Sequence, residues 1–244
     1  MSLARRLIAA GFNDLEKGER FLAAPELAGL DEDALFAGLA LAANPDTALQ
    51  SLVRLIEKHP DLRKLAAAET DRSEPLYRVL GASEALGEFL IRHPEHLDAF
   101  ETTASPEPQA ADAAALRTRL LQSVRADPKA ARPVAALTGQ EGYAALRTAY
   151  RRGLVELAVK DLCAADPLDF MPAVGAELAD LAGAAIEAAL AVSRAEAAEQ
   201  FSAAEVADVG LAVIGMGKCG ARELNYISDV DVIYVIDPGA LEDS

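Results

Sequence analysis

Apolar side chains recur at intervals of three and four over about the first 200 residues of this 244-residue chain, and after Gly210 they gather instead into short runs rich in β-branched residues, as strands do. An α-helix buries one stripe with a period of 3.6 and a strand buries one face with a period of 2, so a single kind of element cannot serve both parts. The pattern predicts a mainly α protein: a helical region over residues 1–200 and the start of a second, α+β domain over 201–244. Composition agrees. Hydrophobic residues make up 52% of the chain, yet aromatics only 5% and Trp is absent. The apolar content is therefore mostly Ala, Leu and Val, which favours helix over sheet.

Several helices are bounded by readable signals. Asn44 caps and Pro45 opens a helix whose stripe is Leu49, Leu52, Val53 and Ile56, ending at His59-Pro60. A helix after Ser83 carries Leu86, Phe89 and Leu90 and ends at His93-Pro94. The run Thr102–Ala110 has two prolines and no period, which reads as a surface linker. A third helix is expected over Asp112–Arg125. A longer one is expected over Glu141–Ala164, with Tyr143, Leu146, Tyr150, Leu154 and Leu157 on one side. The last is expected over Pro172–Gln200, with Leu178, Leu181, Ala185, Ala189 and Val192 buried. Glu177, Asp180 and Glu187 in that Ala-rich stretch argue against a membrane span. The segments Glu57–Leu62 (EKHPDL) and Ile91–Leu97 (IRHPEHL) repeat a helix end; with no third copy they read as two similar stops rather than a solenoid. His59, His93 and His96 lie at these stops, and without a carboxylate or Cys at ligand spacing, capping or surface exposure is expected.

Charge narrows the function. Lys and Arg number 23 against 39 Asp and Glu, a formal net charge of −16, which disfavours a nucleic-acid surface because phosphate affinity needs clustered cations. Cys163 and Cys219 are too few for a disulfide framework or zinc cluster, and Met1–Gly11 has no long apolar leader segment. A reduced cytoplasmic protein without a membrane or nucleic-acid partner is expected.

The period change brings the residues that look like chemistry. Leu211–Ile214 runs into Gly215-Met-Gly-Lys-Cys-Gly220, and Val230–Ile236 forms a second apolar run. Gly215, Gly217 and Gly220 satisfy the G-x-G-x-x-G of dinucleotide folds, and Asp237 ends the next run. However, only Ala221–Ser228 separates turn from acidic pair, too short for the helical crossover that parallel strands require. A Walker-type loop fails because Cys219 rather than Ser or Thr follows Lys218. Ser228-Asp229-Val230-Asp231 instead puts two carboxylates at i and i+2, on one face of a strand. Adjacent acids repel unless a cation neutralises them, and hard oxygen ligands suit Mg²⁺ completed by phosphates and water. The glycine turn brings backbone N–H groups to those phosphates, and Lys218 adds a charge. Glycine loop, short helix and Asp-x-Asp form a nucleotidyl-transfer arrangement.

The stretch GMGKCGARELNYISDVDVIYV closely resembles the nucleotidyltransferase signature of the bifunctional glutamine synthetase adenylyltransferase/adenylyl-removing family. RHPEHL and YRRGLVELAVKDL are similar to stretches of that family's helical N-terminal region. The resemblance implies a polymerase-β-like fold. Glu223-Leu224-Asn225-Tyr226 and the preceding helices from Met1 look more like the first of the family's two transferase domains. That implies the adenylyl-removing half, which uses phosphate to release AMP from adenylyl-tyrosine on glutamine synthetase as ADP; the other half transfers AMP from ATP.

Carried onto this chain, the resemblance makes Asp229 and Asp231 the catalytic carboxylates and Mg²⁺ ligands. Gly215, Gly217, Lys218 and Gly220 hold the nucleotide and phosphates; Ser228 either orients the phosphate or starts the strand. Arg222 and Glu223 form a local ion pair or touch substrate. Implied partners are glutamine synthetase, a PII-type signalling protein, ADP or ATP, and phosphate. Cys219 departs from the family's larger apolar residue and is expected to pack. Enzymes of this fold recruit a further carboxylate from a later strand, and neither Glu242 nor Asp243 before Ser244 is well placed to substitute. Little phosphorolytic activity is therefore expected of this polypeptide alone. A non-catalytic helical interaction module and a polymerase-β-like transferase with a different acceptor are the competing readings. On so acidic a chain, a polymerase-like site points to a protein-bound nucleotide.

Overall fold

A computed structural model describes residues 2–67, 70–103 and 109–239. Its elements in chain order are α1 (Leu3–Ala9), α2 (Leu15–Leu22), α3 (Glu32–Leu39), α4 (Pro45–Lys58), α5 (Arg63–Ala66), α6 (Thr70–Ala82), α7 (Glu84–Arg92), α8 (Asp98–Thr103), α9 (Ala113–Ser123), α10 (Gly139–Leu162), α11 (Pro167–Ala197), α12 (Ala203–Asp208), β1 (Gly210–Gly215), α13 (Gly217–Gly220) and β2 (Val232–Asp237). The mainly α class with a first pair of strands is thus what the chain folds into. The expected linker lies mostly outside the described residues, as do Glu242 and Asp243; its first residues, Thr102 and Thr103, end α8.

The chain packs as two units, one of Met1–Pro108 with Val155–Pro167, the other of Gln109–Leu154 with Leu168–Ser244. Packing therefore divides the chain inside α10 and near the start of α11, whereas the change from helix to strand comes at Gly210.

The first unit is built on α4. Asn44 Oδ1 accepts the Thr47 N–H at 3.1 Å, satisfying one of the orphan donors of the first turn. Leu49, Leu52, Leu55 and Ile56 are buried, and Arg54 pairs with Glu88 of α7, holding Glu88 below the usual carboxylate range chiefly through that hydrogen bond. Ser83 caps α7 by accepting the Leu86 N–H at 3.3 Å. The two stops share a geometry: His59 (φ −135°, ψ 75°) and His93 (φ −132°, ψ 64°) leave their helices in nearly the same conformation, and a proline then opens a 3₁₀ turn, Pro60–Leu62 and Pro94–Leu97. One sequence expectation fails here. His93 does have a carboxylate partner, Glu95, with Nδ1 and Oε1 3.3 Å apart, because the 3₁₀ turn folds the residue two positions on back toward the ring.

Tyr77 of α6 is fully buried, donates its hydroxyl to the Ala66 carbonyl at 3.2 Å, and burial pushes its pKa up to about 12. A Cβ at Gly38 of α3 would lie 2.3 Å from its ring.

In the second unit Leu116, Leu120, Leu121 and Val124 meet Leu181, Ala184, Ala188, Ala191 and Val192 of α11, with Leu146, Tyr150 and Leu154 of α10 packed against them. Three boundary details differ from the sequence reading. Helix α11 opens at Pro167, whose fixed φ suits the first helical position, and it continues through Pro172 at the loss of one backbone bond. Its buried stripe uses Ala184 and Ala188, while Ala189 is exposed. Tyr143 is 39% exposed and donates its hydroxyl to Glu196 at 2.7 Å rather than joining the stripe of α10. Three of the acids of α11 each hold another segment: Glu177 accepts the Ala111 N–H at 2.7 Å, Glu187 accepts two bonds from Arg117 at 2.7 and 2.6 Å, and Asp180 accepts from Arg222. No helix among the described residues is long and apolar enough to cross a membrane.

Replacing Gly38 by Ala forces the new methyl against the Tyr77 ring, an overpacking that costs about 1–3 kcal/mol. Chemical denaturation of Gly38→Ala should show that loss; unchanged stability would mean that the ring moves freely.

Candidate functional site

Strands β1 and β2 pair antiparallel, with Gly210 opposite Asp237 and Gly215 opposite Val232. This register puts the end of β1 beside the start of β2. The glycine turn that leaves one strand and the acidic pair that enters the other are thereby brought together, and the Met216 N–H donates to the Asp231 carbonyl at 2.9 Å. A dinucleotide fold needs these strands parallel, so the pairing excludes it.

The turn is glycine-dependent at two positions. Gly217 has φ +53°, in the left-handed region that costs other residues strain. At Gly220 a Cβ would stand 2.3 Å from the Gly215 carbonyl oxygen, backbone against backbone. Cys219 is half-buried, with its Sγ 3.4 Å from where a Cβ on Gly215 would be, in keeping with a packing role. Lys218 is exposed.

The chain then leaves the turn through Arg222, a non-glycine residue at φ +59°. Such a conformation persists where the surroundings over-determine it. Arg222 Nη1 and Nη2 donate to Asp180 Oδ1 and Oδ2 at 2.5 and 2.8 Å, a bidentate pair. Leu224 is buried, and Gly175 of α11 admits the backbone of residues 222–224, a Cβ there lying 3.3 Å from the Glu223 Cα. The Glu223 N–H returns to the Lys218 carbonyl at 2.8 Å. The partner of Arg222 is therefore Asp180, not the expected Glu223. Sequence reasoning missed Asp180 and Gly175, although an acid in an Ala-rich buried helix was itself a signal, since such a group requires a partner.

Asn225 closes the approach to the acids. Its Oδ1 accepts the Ile227 N–H at 3.2 Å and the Ser228 hydroxyl at 2.7 Å, so Ser228 orders the loop through its proton and keeps lone pairs for another donor. Asp229 and Asp231 are exposed, and Val230 and Val232 are half-buried. Exposure thus alternates with half-burial along residues 229–232, and the paired strand begins one residue after Asp231, at Val232. Among the described residues, three potential metal-ligand side chains come together at His93, Glu95 and His96 and not around this acidic pair.

Behind the turn lies a cavity of about 580 Å³, lined by Leu211, Val213, Gly215, Cys219 and Gly220 against Gly183, Ile186, Glu187, Leu190 and Arg194 of α11. Lys218, Ser228, Asp229 and Asp231 are not among its lining residues, so it backs the site rather than forming it.

A sequence profile described as glutamate-ammonia ligase adenylyltransferase matches residues 73–243, most of the chain and all of the described turn and acidic segment. The chain belongs to the glutamate-ammonia ligase adenylyltransferase family. Curated relatives carry the name bifunctional glutamine synthetase adenylyltransferase/adenylyl-removing enzyme. That of Leifsonia xyli is 44% identical over 86% of this chain and 21% of its own length. The Bifidobacterium longum subsp. infantis protein is 39% identical over 95% of the chain and 22% of its own length, and the Streptomyces coelicolor protein 41% over 94% and 21%. The chain thus spans about a fifth of the length of these relatives. No solved structure matches it.

For this family member, Gly220→Ala should open the glycine turn, since neither its Cβ nor the Gly215 carbonyl can move aside cheaply. Hydrogen exchange at Glu223 and Met216 should accelerate while the α9–α11 core keeps its protection; an unchanged exchange pattern would contradict the packing of the turn.

Proposed function

We propose that this chain supplies the opening part of the adenylyl-removing site of a bifunctional glutamine synthetase regulator, which releases AMP from adenylyl-tyrosine by phosphorolysis. The observation that carries this reading is the antiparallel register, which sets the Met216–Gly220 turn directly beside the entry of Asp229 and Asp231 into β2. The transferred adenylyl phosphate and the attacking inorganic phosphate need such neighbours: donors for their oxygens and carboxylates for a divalent cation.

The donor set fits Mg²⁺. Two exposed carboxylates two positions apart are hard oxygen ligands, and exposure leaves room for the waters and phosphate oxygens that Mg²⁺ retains. When bound, the ion would neutralise charge on the transferring phosphoryl group. In the reaction, an oxygen of inorganic phosphate forms a bond to the adenylyl phosphorus as the bond to the tyrosine oxygen breaks, giving ADP and a tyrosine hydroxyl that takes up a proton. The chain's own part is positioning. Asp229 and Asp231 hold the cation's side of the phosphate, Lys218 supplies a positive charge from the short helix, and Gly217 and Gly220 let the backbone come close. Ser228, oriented by Asn225, offers its oxygen to a neighbouring donor.

Glutamine synthetase is the proposed protein substrate, and ADP or ATP and phosphate the small ligands; a PII-type protein is a proposed regulator. The curated names of the relatives support the first of these and the site chemistry the second. The long acidic helical region supports a protein-bound rather than a nucleic-acid-bound nucleotide, since net charge −16 repels a polyanion.

Asp229→Asn and Asp231→Asn in the full-length protein should each lower ADP release from adenylylated glutamine synthetase, with phosphate and Mg²⁺ present, by about 100-fold or more. Both variants should retain the wild-type circular dichroism spectrum. Wild-type turnover in either folded variant would refute the assignment.

A further inference from the structure

We propose that His93, Glu95 and His96 form a binding site for a divalent transition-metal ion of the zinc class, separate from the acidic pair. The helix stop creates it. His93 ends α7 and Pro94 opens a 3₁₀ turn, in which residues three apart lie above one another, so His93 and His96 come to the same side with ring centroids 6.0 Å apart. Glu95 reaches between them: its Oε1 is 3.3 Å from His93 Nδ1 and 4.0 Å from His96 Nε2. One ligand atom from each of the three residues lies within 4.8 Å of the other two. Zinc bonds of about 2.0–2.2 Å in a tetrahedron separate neighbouring ligand atoms by about 3.4 Å. The first edge already has that length; the Glu95–His96 edge, at 4.0 Å, closes by rotation of the Glu95 side chain, which is 61% exposed, and the edge between the two histidines closes by a small turn of the rings.

The imidazoles are held in advance of any ion. The Phe89 ring stacks on His96 at 5.3 Å with planes 10° apart and sits tilted against His93 at 5.0 Å. Stopping the helix does not explain the cluster. The sister stop at His59 has the same backbone conformation and a single histidine, whose Nε2 meets the Ile91 carbonyl at 3.0 Å. Two imidazoles and one carboxylate favour Zn²⁺ over Mg²⁺, and three protein ligands leave a fourth position for water.

Titration calorimetry of the untagged, chelator-treated chain with Zn²⁺, in excess Mg²⁺, tests this. One equivalent should bind, His93→Gln and His96→Gln should each weaken it at least tenfold, and Asp229→Asn should leave it unchanged. Glu95→Gln, at an exposed side chain, should also weaken binding and decides the matter if a histidine variant misfolds. Absence of zinc uptake, or uptake undiminished by Glu95→Gln and the folded histidine variants, would overturn the site.

Discussion

Arg222 gripping Asp180 is the constraint on which the rest of the site depends. Between the glycine turn and the acidic pair the chain has to reverse, and it does so through a left-handed arginine. That conformation is unfavourable for a side chain with a Cβ, so it needs an external hold. The bidentate bond to α11, the burial of Leu224 and the absence of a side chain at Gly175 provide it together. Arg222 keeps 57% of its side chain exposed, so its charge contributes less than a buried pair's would, and the fork geometry matters more than the Coulomb attraction.

The same helix is a scaffold for more than the turn. An Ala-rich rod approaches its neighbours closely, which gives dense packing but few distinctive shapes to fix register. Its acids supply the missing specificity. Glu177 fixes the segment before α9, Glu187 clasps α9 itself through Arg117, and Asp180 takes the loop that leads to β2. The residues that disfavour a membrane span are thus those that organise the second unit.

Much of this was legible in the sequence because the relevant physics is local. Asn44 and Ser83 cap their helices through their own side chains, and the His-Pro pairs stop α4 and α7 as proline chemistry requires. The exclusion of a parallel dinucleotide fold followed from a connection too short for a crossover, while the antiparallel register itself came from the structure. What stayed hidden is long-range. The Arg222–Asp180 pair spans forty-two positions, and no local rule selects Asp180 over Glu223. Glu95 was overlooked for a different reason: spacing of two is wrong for a helix, and the 3₁₀ turn that makes it right arises from the stop itself. The division of packing inside α10 also leaves no local trace, because a continuous helical period runs through it.

The clasp holds the turn and the acidic entry in one frame. Hydrogen exchange of Asp180→Asn, which keeps the shape of the side chain and removes its charge, measures this directly. The amides of Met216, Glu223 and Ser228, whose acceptors lie across the turn and loop, should exchange on the order of three- to tenfold faster, with those of α4 unchanged. Unaltered exchange at all three amides would contradict the clasp.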